Sequence, residues 1–193
     1  MERTAIYLTK KLVQRNIIDK NNVTIYETGL TLIISDIINF LIIIVIGLIT
    51  NTFWYSCLYL MMLVIVRRFS GGFHAKTYNR CRLVTAGTYI LIILVNELII
   101  NHWITYAMFF NVISIITMIL FAPIRHPNKE LTSTEIKANK LFALITTILS
   151  SILSIALIVL NRKTGLVISL ILFAITVLMY AGLLTNRKGG ITK

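Results

Sequence analysis

The sequence predicts an all-α integral membrane protein. It is a bundle of about six transmembrane helices with an N-terminal amphipathic interfacial helix and both termini cytosolic. Three observations carry this. First, 57% of the 193 residues are hydrophobic and only 13% are charged, against about a quarter charged in an average soluble domain. Second, the apolar residues come in long uninterrupted runs, as membrane-spanning helices require. Third, the 19 Lys and Arg crowd into alternate intervals between those runs, as they do when basic loops stay on the cytosolic side. The length suits a single membrane domain over residues 1–193.

Residues 1–28 place Ala5, Ile6, Leu8, Leu12, Val13 and Ile17 on one helical face and Arg3, Lys10, Lys11 and Arg15 on the other. That pattern reads as an amphipathic helix, either lying on the membrane or packed on the protein. The run 30–50, broken only by Asp36, is the first span, and Asn51-Thr52 is a minimal turn. The run 53–66 is short. At ~1.5 Å per residue it covers ~21 Å of a ~30 Å hydrocarbon core. It spans only by borrowing its flanks; otherwise it and the run 83–100, which together flank the interval 67–82, are partly re-entrant. The third run, 83–100, carries Asn96 and Glu97 near its far end. Trp103 then suits an interfacial position. The fourth run, 104–122, is stopped by Pro123 and Pro127. A helix opens within 131–140, with Thr132 or Ser133 capping towards Glu135. The fifth and sixth runs are 141–160 and 166–184, joined by the turn 161–165.

With the N-terminus inside, only Arg162 and Lys163 lie outside. The interval 67–82 then faces the cytosol. The net charge of +12 is split among short segments, which argues against nucleic-acid binding. A basic inner face suits membrane lipids of negative charge or an acidic peptide. Cys57 lies in an apolar run and Cys81 in a polar interval, so no disulfide is expected. No CxxC or Cys/His spacing suits a metal, and no cofactor is implied. No cleavable signal peptide is expected ahead of the first run.

The interval 67–82 reads Arg-Arg-Phe-Ser-Gly-Gly-Phe-His-Ala-Lys-Thr-Tyr-Asn-Arg-Cys-Arg. A thiol attacks as thiolate, and an ordinary thiol, with a pKa of ~8.5, is mostly protonated at neutral pH. Arg80 and Arg82 flank Cys81 and favour the anion. If Asn79 caps a helix running on through Leu83, the helix dipole adds to this and free N–H groups face an oxyanion. His74 is placed to take the thiol proton and return it to a leaving amine. Residues seven apart on one helix stand ~10.5 Å apart along its axis, too far for a dyad. Gly71-Gly72 and the 76–79 stretch must therefore supply a turn, or the dyad closes across a homodimer.

From the residues alone, plainer readings compete. Gly-Gly is more often a flexible loop than a substrate cradle, and Arg67 and Arg68 are more often orientation charges than ligands. Asp36 is an intramembrane acid and hence a functional candidate. It would orient His74 or pair with an arginine, and a structural ion pair is the alternative. Ser70 and Tyr78 are further candidate hydrogen-bonding groups. Glu97 reads as outer interface, Cys57 as an apolar filler, and His102 and His126 as surface.

Six apolar runs in under 200 residues, with Arg-Arg-Phe-Ser-Gly-Gly-Phe-His-Ala and a Cys seven after the His, resemble the accessory gene regulator B proteins of Gram-positive quorum sensing. The resemblance covers nearly the whole chain. It implies a cysteine-endopeptidase dyad of His74 and Cys81, with Arg67 and Gly72 as the motif arginine and glycine. It further implies a bacterial cell-membrane enzyme whose substrate is a short propeptide with an acidic C-terminal tail. The tail is removed, the remainder is held as a thioester on Cys81, and a thiolactone or lactone ring closes. Arg67, Arg68, Lys76 and Arg80 are candidate grips for the tail. A non-catalytic membrane protein that binds or exports an acidic peptide is the competing function.

Overall fold

The protein's last spanning helix is its hub, although nothing in its composition sets it apart. In the structure, a computed structural model, residues 2–15, 17–19, 22–71, 78–99, 103–124, 132–160 and 163–189 are described. They form seven α-helices and no strand: α1 (Glu2–Gln14), α2 (Val23–Ile49), α3 (Phe53–Ser70), α4 (Tyr78–Leu98), α5 (Trp103–Phe121), α6 (Ser133–Val159) and α7 (Thr164–Gly189). The last six are long and apolar enough to cross a membrane, so the chain is a multi-pass membrane protein. Of α7's spanning residues 67% are buried, against 22% to 28% in the other spans. Leu166, Val167, Ile168, Ile171, Leu172, Ile175 and Met179 fill the middle of the bundle. α3, α4, α5 and α6 surround them.

Lipid is as apolar as leucine, so burial alone does not fix how these helices meet; close approach and polar contacts do. Asn111 on α5 donates to the Ser154 hydroxyl on α6 and the Ser169 hydroxyl on α7, both at 3.0 Å. Both serines donate in turn to the Gly165 carbonyl, at 2.8 and 3.0 Å. One buried node thus ties three helices. At the other side of the bundle Gly47 lets α2 approach α3. A Cβ there would stand 2.5 Å from Ser56 Oγ and 2.7 Å from Ser56 Cβ. The α2–α3 turn is the expected Asn51-Thr52. Asn51 takes a left-handed φ of 54°, which asparagine tolerates. The Thr52 N–H reaches back to Gly47 O at 2.7 Å and the Asn51 N–H to Leu48 O at 3.3 Å, closing the helix end.

Several expected bounds move. α3 runs on through Arg67 and Arg68 to Ser70, so it borrows its flank and covers ~27 Å at the usual rise. α4 begins by Tyr78 rather than near Leu83. Both are long enough to span. α2 starts at Val23 rather than Leu30. α6 opens at Ser133 behind a full capping box: the Thr132 side chain accepts from the Glu135 N–H, and the Glu135 carboxylate accepts from the Thr132 N–H. α1 packs on α2, with Ala5 and Thr9 buried against it. Ile6 and Leu8, on the apolar face in sequence, are exposed, and the stripe turned to the protein is Ala5–Thr9, drifting towards Leu12 and Val13.

Candidate active site

Helix takes both ends of the interval 67–82. Arg67, Arg68 and Ser70 close α3, and Tyr78 to Arg82 open the described part of α4. Gly71 follows α3 with φ 71° and ψ −164°, a conformation essentially confined to glycine. His74 and Gly72, both expected in the site, lie outside the described residues, as does Lys76. Gly71 therefore marks where the chain leaves α3 for that segment.

Gly71 is also clamped. The Ile124 N–H donates to the Ser70 carbonyl at 2.9 Å, bringing the end of α5 against the end of α3. A Cβ on Gly71 would stand 2.5 Å from the Ile124 carbonyl oxygen. Ser70 is fully buried, and its hydroxyl donates to the Gly71 carbonyl at 3.1 Å. It is thus part of this junction rather than a group presented to a substrate. Phe69 stacks on Phe142 with ring centroids 5.2 Å apart, adding α6 to the same corner. None of this was foreseen, and sequence offers no signal for it. The decisive contact is between backbones.

Cys81 is a free, half-buried thiol near the described start of α4, between exposed Arg80 and half-buried Arg82. The expected Asn79 cap is not there. Tyr78 before it is already helical, so Asn79 sits inside the helix instead of at the non-helical position a cap needs. Cys57 is also free and half-buried, but it lies on α3 well away in sequence from Arg67. Asp36 stands on α2 with its side chain exposed. Arg67, half-buried on α3, is the charge that acts on it. The two are equally far from the Asn51-Thr52 turn, so the antiparallel α2–α3 pair brings them level. Tyr59 on α3, fully buried, lies within electrostatic reach of both Arg67 and Cys81. Electrostatics thus link Asp36 to Arg67, and Tyr59 to Arg67 and Cys81. Tyr59 was missed, for it looks like any aromatic in an apolar run.

A family model described as accessory gene regulator B matches residues 2–182, nearly the full length. The chain belongs to the accessory gene regulator B family. No curated protein and no solved structure matches it. Membership makes this an accessory gene regulator B membrane protein of quorum sensing. The stretch from Arg67 to Cys81, which in sequence resembles the family's motif, is divided between two helices. Its arginine closes one spanning helix and its cysteine opens the next.

Proposed function

We propose that the chain is a membrane cysteine endopeptidase acting through Cys81 and His74 on a quorum-sensing propeptide, at the cytosolic face. The observation that carries this is the setting of Cys81. It is a free, half-buried thiol between two arginines at the described start of α4, in the stretch whose sequence resembles the family's motif. In the reaction, His74 takes the thiol proton and the sulfur attacks the carbonyl before the acidic tail. The tetrahedral intermediate collapses with loss of the tail's amine, which receives its proton from His74. The propeptide remains as a thioester on Cys81. Its own cysteine thiol or serine hydroxyl attacks that carbonyl, forming a thiolactone or lactone ring and releasing the enzyme thiol. Exchange of one thioester for another is nearly balanced, whereas hydrolysis runs downhill. A site at the bilayer edge that excludes water therefore favours ring closure. Arg67, Arg68 and Arg80 supply positive charge for the acidic tail. The distribution of basic segments supports both termini and this site lying inside the cell.

The test is reconstitution in lipid with the propeptide, followed by mass spectrometry. The expected product is an adduct on Cys81 whose mass is that of the propeptide less its tail. The Cys81→Ala protein should bind the propeptide and release no tail. Tail release by Cys81→Ala would overturn the proposal. Binding by the wild type with no release over hours would make the protein a peptide-binding or export factor instead.

A further inference from the structure

The backbones of α3 and α4 scarcely touch. α4 packs on α7 and α2, and the gap to α3 is crossed by side chains. Two tyrosines take part in this. Tyr89 of α4 donates its phenol proton to the Thr52 carbonyl at 3.1 Å and lies 2.9 Å from the Thr52 hydroxyl. Tyr59 of α3 donates to the Thr85 carbonyl of α4 at 3.0 Å. The two rings pack at 5.3 Å between centroids, and both are fully buried. Thr85 is one turn beyond Cys81. In an α-helix its N–H is bonded to the Cys81 carbonyl, so the Tyr59 phenol grips α4 one hydrogen bond away from the nucleophile's own peptide unit.

The geometry points to Tyr59 as a positioning residue for Cys81, its hydroxyl setting the slide and rotation of α4 against α3. The inference rests on Cys81 being the nucleophile. Apolar contact between helices in lipid is weakly directional, so it permits small slips along and about the axis. A phenol held to one carbonyl does not. A one-residue slip would turn Cys81 by ~100° and carry it ~1.5 Å along the axis, away from the Arg67 side of the bundle. Tyr59 itself need not touch a substrate for this, and its burial keeps it from doing so. Tyr89, at the far end of the same gap, ties α4 to the α2–α3 turn and leaves the Cys81 turn alone.

The experiment is maleimide alkylation of Cys81 across pH, in the full chain in nanodiscs, with Cys57 as internal reference. Tyr59→Phe keeps the ring and removes only the donor. It should slow Cys81 alkylation at neutral pH about tenfold and move its pH profile alkaline, with Cys57 unchanged. 4-Aminophenylalanine at position 59 restores a donor and should restore the profile. In propeptide cleavage, Tyr59→Phe should lower kcat and leave KM in place. Tyr89→Phe should lower thermal stability without moving the Cys81 profile. If Tyr59→Phe leaves the profile where it was, or Tyr89→Phe moves it as far, the positioning role is wrong. Alkylation needs no propeptide. A wild type that never cleaves would therefore sink the peptidase reading and leave the alkylation result standing.

Discussion

Replacing Gly71 by alanine should disable the protein while leaving its six spans in place. Two costs arise at once. An L-residue at φ 71°, ψ −164° sits where only glycine is comfortable, a strain of ~1–3 kcal/mol. The new methyl would also stand 2.5 Å from the Ile124 carbonyl oxygen, a backbone atom that cannot swing aside as a side-chain tip can. Relief requires Ile124 to retreat, which breaks its 2.9 Å bond to Ser70 at about 1 kcal/mol. The sum is roughly 2–4 kcal/mol against the native junction. At ~1.4 kcal/mol per factor of ten, that corresponds to a 30-fold to several-hundred-fold loss of the native arrangement at the mouth of the site. Tail release from the propeptide, measured at saturating substrate in lipid, should fall by that range. Gly29→Ala and Gly87→Ala are the controls, since a Cβ at either meets nothing within 4 Å; both should keep full activity. Gly71→Ala with activity within twofold of the wild type would refute the clamp.

Two further variants probe the bundle itself. Gly47→Ala gains up to ~1 kcal/mol of helix propensity but forces a methyl onto Ser56, an overpacking cost of ~1–3 kcal/mol. It should lower the unfolding midpoint in detergent, and adding Ser56→Gly should restore it; a rise in the single variant would contradict the close α2–α3 approach. Asn111→Ala removes the two Asn111 bonds of the α5–α6–α7 node. It should destabilise by about 1–2 kcal/mol in the same measurement, with alkylation of Cys81 unchanged.

The six spans were legible because lipid imposes one simple demand, a long apolar run, which all but the short run 53–66 meet without borrowing their flanks. The α6 start was legible too, since Thr132 and Glu135 form a local motif that needs no tertiary partner. The other bounds were not. α3 carries Arg67 and Arg68 on its last turn. Long basic side chains reach the interface from inside a helix, so charge there does not mark a helix end. α2 likewise continues through Thr24, Glu27 and Thr28 beyond the apolar run. The hub position of α7 had no signal at all, for α2 is as apolar and remains mostly exposed. In the site, the residue types at 67, 80, 81 and 82 were readable. Their distribution over two helices, the Ser70–Ile124 contact and the Tyr59–Thr85 bond depend on packing between distant segments.

That dependence follows from the solvent. In a soluble core, the position of a side chain is fixed by many apolar contacts, each lost when it moves. In lipid, a leucine that leaves a helix neighbour meets a hydrocarbon tail of equal quality. Register is then left to the few contacts lipid cannot replace: a donor to a carbonyl, or a glycine under a serine. The α5–α6–α7 half has such contacts at its centre, in the Asn111 node. The helix that bears Cys81 has them at the Tyr59 and Tyr89 phenols. Single-atom changes at those phenols should therefore act differently from deletions of apolar bulk nearby. Removing the Tyr59 oxygen should alter how the thiol reacts in a bundle that still forms, whereas truncating Ile92 or Val66, both buried in the core, should weaken the bundle without changing the rate at which the thiol is alkylated.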